Sequence, residues 1–312
     1  MTLDGDSHRE MANMQETPEK TYVAAQVGCE VCSQFSGRGY RFERPSGPSN
    51  TTGRVVVCEC VVPLCTCGAL APQKPVVGPP YDGLIKRADE AIDERHCACW
   101  SVRRRVAALN RMLSEADIPE LYRGKLIEDY RIATHDGREI PEADQARAQT
   151  VTWLEKFVGG QEMRGLYLYG MPGDGKTLLA TGLLTQLILL TARPGLFVNL
   201  SRGYFQRLRD TYDNDIPGAE TAEQAFARLS RVPFLVLDDL GLERGTLWQV
   251  EWLYNLIDER YQTKRVIIVT SNHSLEDLRE FSRGRIQSRL RHMCRPVKFP
   301  DLDLRELFKY GV

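Results

Sequence analysis

Gly170-Met171-Pro172-Gly173-Asp174-Gly175-Lys176-Thr177 is the stretch on which the fold of this chain turns. It follows a short apolar run, Gly165-Leu-Tyr-Leu-Tyr169, and leads into a long apolar segment from Leu178 to Ala192. The first reads as a buried strand and the second as a helix from Lys176 to Thr191. The glycine-rich run therefore sits at a strand-to-helix turn, the context that a Gly-x4-Gly-Lys-[Ser/Thr] phosphate loop requires. Glycines 170, 173 and 175 let backbone N–H groups turn inward around phosphate oxygens without a Cβ clash. The helix N-terminus adds partial positive charge. Lys176 is expected to bridge the β- and γ-phosphates of a nucleotide, and Thr177 to hold Mg²⁺. Pro172, Asp174 and Leu178 complete the expected nucleotide-binding run.

Working outward, the pattern alternates. Gly195-Leu-Phe-Val-Asn-Leu200, Phe234-Leu-Val-Leu-Asp238 and Val266-Ile-Ile-Val-Thr270 read as further buried strands, with Pro296–Phe299 as a fifth. An Arg-rich helix around Tyr204 to Tyr212 and a helix from Thr246 to Gln262 lie between them. The second places Leu247, Val250, Leu253, Tyr254, Ile257 and Tyr261 on one side. Near-continuous apolar strands separated by helices imply an α/β fold with a mostly parallel sheet covered on both faces.

The ends of these strands carry polar groups. Asp238 closes the third strand, where a carboxylate faces the metal, and so suits a Mg²⁺ role. Asp239 is expected to orient the attacking water, with Glu243 a weaker second candidate. Asn272, after the fourth strand, is placed to sit beside the γ-phosphate. Between Arg279 and Lys298 there are seven Lys or Arg residues and one Glu. Arg285 and Arg289, four apart on a short helix, share a face, and their guanidinium forks match phosphate geometry.

Of nine cysteines in 312 residues, eight lie between Cys29 and Cys99. They come as Cys29-x2-Cys32, Cys58-x-Cys60, Cys65-x-Cys67 and Cys97-x-Cys99. Eight thiols would fill two tetrahedral zinc sites, with iron–sulfur ligation or free, redox-active thiols as the alternatives, and metal would supply the folding energy of a Gly- and Pro-rich module with little apolar area to bury. Which pairs share an ion is open: Cys29-x2-Cys32 is a zinc-knuckle half, and Cys58-x-Cys60 is the pair that follows it. Cys97 and Cys99, however, lead directly into the basic connector, which makes the middle four a candidate insertion. Cys294 reads as a packed thiol.

Composition limits the remainder. The hydrophobic fraction is 42%, the charged fraction 27% and the net charge −1, so nucleic-acid contact has to come from local patches. The polar stretch 1–19 lacks the apolar core of a signal peptide, and no apolar run spans a bilayer. A cytoplasmic protein without membrane contact is expected. The expected domains are a disordered leader (1–20), a Cys-rich zinc-binding module (21–100), a helical connector (101–124) and an ATPase domain (125–312).

Taken in order, Gly170–Thr177, Leu235-Val-Leu-Asp-Asp-Leu-Gly241, Val269-Thr-Ser-Asn272 and Arg285-Ile-Gln-Ser-Arg-Leu290 resemble the AAA+ ATPases of the bacterial helicase-loader group. These are the DnaC and DnaI type loaders and the similar IstB transposition helpers. The resemblance covers residues 117–300 and begins at Ile118-Pro-Glu-Leu-Tyr122 and Leu126-Ile-Glu-Asp-Tyr130, which look like the segment beside the adenine. It implies a P-loop ATPase without a full C-terminal lid, hydrolysing ATP at a subunit interface, with Arg289 as arginine finger and Arg285 as its helper. It also implies an N-terminal zinc module that grips a replicative helicase, and delivery of that helicase to single-stranded DNA. Arg202, Arg207 and Arg209 with Tyr204 and Phe205 are the candidate DNA contacts. Two other functions fit the same residues: an IstB-like transposition helper, and an ATP-gated zinc-module adaptor with negligible turnover.

Overall fold

The structure, a computed structural model, describes residues 29–35, 37–44, 53–65, 70, 84–86, 92–96, 98–134, 137–200, 204, 205, 208, 220–241, 246–279 and 284–307. The leader, Cys67, Cys97, Arg202, Arg207, Arg209, Tyr212 and Glu243 lie outside the described residues. The chain divides into two compact units, Met1–Phe42 with Val55–Ala107, and Glu43–Arg54 with Ala108–Val312.

In the first, a short helix α1 (Glu30–Ser33) precedes a two-stranded sheet of β1 (Tyr40–Glu43) and β2 (Arg54–Val57). A 3₁₀ turn follows over Glu59–Leu64. Strands β3 (Leu84–Lys86) and β4 (Ile92–His96) pair antiparallel, and helix α2 spans Ala98–Ser114. The connector helix thus begins three residues before the expected Ser101 and takes Cys99 into its first turn. Val61, Cys99 and Val102 are buried together, with Val57, Leu64 and Val106 packed against them. Among the described residues of this unit the buried apolar side chains are few, and at about 1.5–3 kcal/mol each they fall short of the ordering cost of about 1–2 kcal/mol for every residue of the segment.

The second unit is built on a five-stranded parallel sheet in the order β6-β7-β8-β5-β9. Its strands are β5 (Gly165–Tyr169), β6 (Gly195–Asn199), β7 (Phe234–Asp238), β8 (Val266–Ser271) and β9 (Cys294–Lys298). The helices between them are α4 (Lys176–Thr191), α5 (Ala222–Arg231), α6 (Leu247–Gln262) and α7 (Arg285–Met293), with α3 (Pro141–Val158) before β5. Strand β9 starts two residues before the expected Pro296. Helix α4 is apolar nearly all round and buries Leu179, Leu183, Leu184, Leu187 and Ile188 completely, as a helix enclosed by its neighbours must. Gly182 lets the backbone of Leu126 approach: a Cβ there would lie 2.6 Å from the Leu126 carbonyl carbon.

Helices α5 and α6 each start with a capping box, Thr221 with Gln224 and Thr246 with Gln249, which satisfies the first free N–H groups. The buried face of α6 shares only Leu253 and Ile257 with the expected one. It comprises Trp252, Leu253, Leu256, Ile257 and Arg260, whereas Leu247 is 90% exposed and Tyr261 40% exposed. The stripe is displaced because α6 buries a charged residue, Arg260, which apolar periodicity cannot register.

Candidate nucleotide and metal sites

Because all five strands run parallel, β5, β6, β7 and β8 finish on one edge of the sheet, where β5 lies beside strands distant from it in sequence. Open α/β sheets bind ligands at such a switch point. The phosphate loop leaves β5 there, with Gly173 at φ +88° and Gly175 at φ +87°, conformations that favour glycine. The ring of Tyr130 lies against Gly175, where a Cβ would come within 2.6 Å, and its hydroxyl donates to the Asp174 carbonyl at 3.0 Å. Tyr130 packs edge-on against Phe299. The turn around Ile127–Asp129, where Leu126 N–H donates to Asp129, brings it there.

Lys176 Nζ donates to the Gly170 and Met171 carbonyls at 3.1 and 2.7 Å, and to both carboxylate oxygens of Asp174. Burial pushes the Asp174 carboxyl above the usual range, and Lys176 opposes that shift. Pro172 and Met171 are exposed at the loop tip, and Leu178 and Thr177 are half-buried at the start of α4.

Asp238 is 2% exposed and gathers the strand ends. Thr177 Oγ1 donates to its Oδ1 at 2.8 Å, Thr270 Oγ1 to Oδ1 at 2.7 Å, and Asn199 Nδ2 to Oδ2 at 2.7 Å. Burial raises its pKa, and these three donors offset part of the rise. Asp239 follows in the left-handed region, φ +59°, a conformation that Asp tolerates. Its N–H donates to Thr270 Oγ1 at 2.8 Å, and its Oδ1 accepts from Asn272 Nδ2 at 3.3 Å. Thr177, Asp238, Asp239 and Asn272 thus form one hydrogen-bonded set. A glycine-rich loop at the N-terminus of α4, beside a hydroxyl and a carboxylate 2.8 Å apart, fits a polyphosphate with Mg²⁺.

The two arginines lie elsewhere. Arg285 and Arg289 both stack over the Tyr254 ring, at 4.4 and 5.5 Å. Arg289 Nε donates to Asp258 at 2.8 Å, which holds the Asp258 carboxyl below its ordinary range. Tyr204 and Phe205 are half-buried, and Phe205 packs on Trp252 and Trp248 at 5.6 and 6.2 Å.

In the first unit Cys29, Cys32, Cys58 and Cys60 bring their sulfurs within 4.8 Å of one another. Cys29 and Cys58 are 3.7 Å apart, and Cys32 and Cys60 3.8 Å. A tetrahedral zinc with Zn–S bonds of about 2.3 Å needs sulfurs separated by about 3.8 Å. The donor set and spacing therefore fit zinc. Gly39 makes the approach possible, since a Cβ there would lie 2.8 Å from Val61. Cys65 and Cys99 lie 3.5 Å apart and their partners Cys67 and Cys97 are outside the described residues. Cys294 is buried beside the Ile267 carbonyl.

Several groups at the site escaped the sequence reading. Asn199 and Thr270 share Asp238, although the sequence favoured Asn272 for the polar role at the end of β8. Asn199 is directly opposite Asp238 in the β6–β7 register, and a polar residue ending an apolar strand was its only signal. Asp303 packs against Gly173, and Leu304 N–H donates to the Gly173 carbonyl at 3.0 Å. Nothing in the local pattern foretold that this segment reaches the loop.

Fold and site together define an α/β P-loop nucleotide-binding protein. Residues 100–298 match the family described as IstB-like ATP binding protein. The chain belongs to that ATP-binding family, in the AAA+ group of IstB and DnaC-like proteins. It is 25% identical over 216 residues to the uncharacterized protein YqaM of Bacillus subtilis, covering 67% of this chain and 64% of YqaM. It is 24% identical over 187 residues to the replicative helicase loader DnaC of Escherichia coli, covering 60% of this chain and 71% of DnaC. Among solved structures, the DnaC helicase loader aligns at 24% identity and TM-score 0.49, covering 58% of this chain and 100% of that one. DnaI aligns at 24% identity and TM-score 0.41, covering 50% and 86%. No helix among the described residues is long and apolar enough to cross a membrane.

Proposed function

We propose that this protein is a cytoplasmic ATP-dependent loader that places a replicative helicase on single-stranded DNA, hydrolysing ATP at a subunit interface. The observation that carries the reading is the joined set Lys176, Thr177, Asp238, Asp239 and Asn272 on one sheet edge, in a chain similar to the loader DnaC. Thr177 and Asp238 would hold Mg²⁺, which offsets phosphate charge. Lys176 and the loop N–H groups orient the phosphates. Asp239, steadied by Asn272, accepts a proton from the attacking water. The zinc module, with one ion at Cys29, Cys32, Cys58 and Cys60 and a second at Cys65, Cys67, Cys97 and Cys99, docks the helicase. Arg202, Arg207 and Arg209 contact the DNA backbone.

Lys176→Ala is expected to weaken nucleotide binding and lower turnover about a hundredfold or more. Asp239→Asn is expected to keep binding and lose turnover. ATPase rates with and without single-stranded DNA check both; unchanged rates in the two variants leave the adaptor with negligible turnover. The IstB family match favours a second reading, a transposition helper. Pull-down against a replicative helicase and against a transposase separates the two, and capture of only the transposase sinks the loader.

Arg289 is assigned to a neighbouring subunit's γ-phosphate, with Arg285 as helper. Arg289→Ala should bind nucleotide normally and lose about a thousandfold in turnover. Mixing it with Lys176→Ala subunits should restore activity, because each supplies what the other lacks. Mixtures as inactive as either variant alone argue against action between subunits.

A further inference from the structure

The phosphate loop carries an anion of its own. Asp174 Oδ1 accepts from the backbone N–H of Lys176 at 3.2 Å, and its two oxygens lie 2.9 and 3.0 Å from Lys176 Nζ. These are the donors that such a loop turns toward the phosphates of a nucleotide. The carboxylate is inside the turn: a Cβ on Gly170 would lie 2.4 Å from Asp174 Oδ2. It is also sealed, with its side chain 1% exposed and that of Lys176 7% exposed. The Tyr130 hydroxyl holds the Asp174 carbonyl from the other side.

A buried carboxylate and an incoming polyphosphate cannot share one lysine without like-charge repulsion in a site of low dielectric. We propose that Asp174 is a resident phosphate mimic, which occupies the loop until a nucleoside polyphosphate displaces it and so sets the apparent nucleotide affinity. This rests on the reading of the loop as an ATP site. Apparent affinity falls by the fraction of molecules in which the cradle is open, so a neutral residue at 174 tightens binding. The effect belongs to the phosphates and not to the base.

The test is calorimetric titration of the full-length protein with a non-hydrolysable ATP analogue, inorganic pyrophosphate and adenosine. Asp174→Asn and Asp174→Ser should each bind the analogue and pyrophosphate about tenfold more tightly and bind adenosine as before. In a Lys176→Ala background the gain should vanish, because the competing partner is gone. Two variants guard against one folding poorly, and circular dichroism checks each. Folded variants that bind the analogue no more tightly than the parent overturn the inference, as does a gain that persists without Lys176. If the parent protein binds no analogue, or Lys176→Ala binds it equally well, the ATP-site reading itself fails.

Discussion

Cys32→Ser protein is expected to carry one zinc ion fewer per chain than the parent and to lose the order of the module around Cys29, Cys32, Cys58 and Cys60. The buried apolar set there centres on Val61, Cys99 and Val102, too little to offset the entropy of ordering the segment. A zinc ion held by the four thiols, whose sulfurs lie within 4.8 Å of one another, would supply what the core lacks. Three of them sit in unequal surroundings: the Cys32 backbone N–H draws Cys29 down to about 7, whereas burial pushes Cys32 and Cys60 up. A bound cation would favour the thiolate form of its ligands. Structural zinc contributes about 10–16 kcal/mol in small metal-dependent domains, so the expected effect is loss of the module's fold. Metal analysis and limited proteolysis of the variant, with the parent after chelation, provide the check. The unit from Ala108 onward, with its own sheet core, should resist proteolysis in both. A module that stays protease-resistant without metal defeats the expectation.

The second large effect is at Arg260, whose side chain is completely buried. Its guanidinium donates to the carbonyls of Leu229 at 2.7 Å, Val232 at 2.8 Å, Pro233 at 3.2 Å and Ser230 at 3.4 Å, and also to that of Val266. These are carbonyls of the last turn of α5, of its link into β7 and of the first residue of β8. A helix leaves its final carbonyls without partners, and its C-terminus attracts a cation. Arg260 serves both needs and ties one helix end to two neighbouring strands. Burial lowers its pKa to about 9. Arg260→Met keeps the aliphatic bulk but strands several buried acceptors. Removing one partner of a buried charged network costs about 3–5 kcal/mol, whereas the transfer cost of the charge recovers part of that. A net loss of about 3 kcal/mol is expected from urea unfolding, with the m-value unchanged. A loss below about 1 kcal/mol would mean that water reaches those carbonyls once the guanidinium is gone.

The legible parts of the molecule share a cause. Strands β5, β7 and β8 and helix α4 are uninterrupted or nearly uninterrupted apolar runs, and the phosphate loop must lie between β5 and α4 because its glycines serve a local backbone path. Asp238 was readable because a carboxylate terminating an apolar run is locally conspicuous. The buried face of α6 was not, since Arg260 looks like a surface residue until the carbonyls it caps are in place. Arg289 shows a different limit: its spacing to Arg285 was plain, but its pairing with Asp258 joins two helices 31 residues apart.

By itself, the sequence determined the parallel α/β class, the phosphate loop and the polar strand ends, because each follows from period, glycine placement or chain order. It also bounded the metal chemistry through eight clustered thiols, but spacing left their grouping open. Tertiary structure decided that Cys29 and Cys32 meet Cys58 and Cys60, because only the packing around Gly39 and Val61 brings the four sulfurs together. It decided that Asn199 and Thr270 share Asp238, because strand order sets which ends are neighbours. And it turned Asp174 inward onto Lys176, a choice between rotamers that no linear pattern of Gly-Asp-Gly-Lys contains.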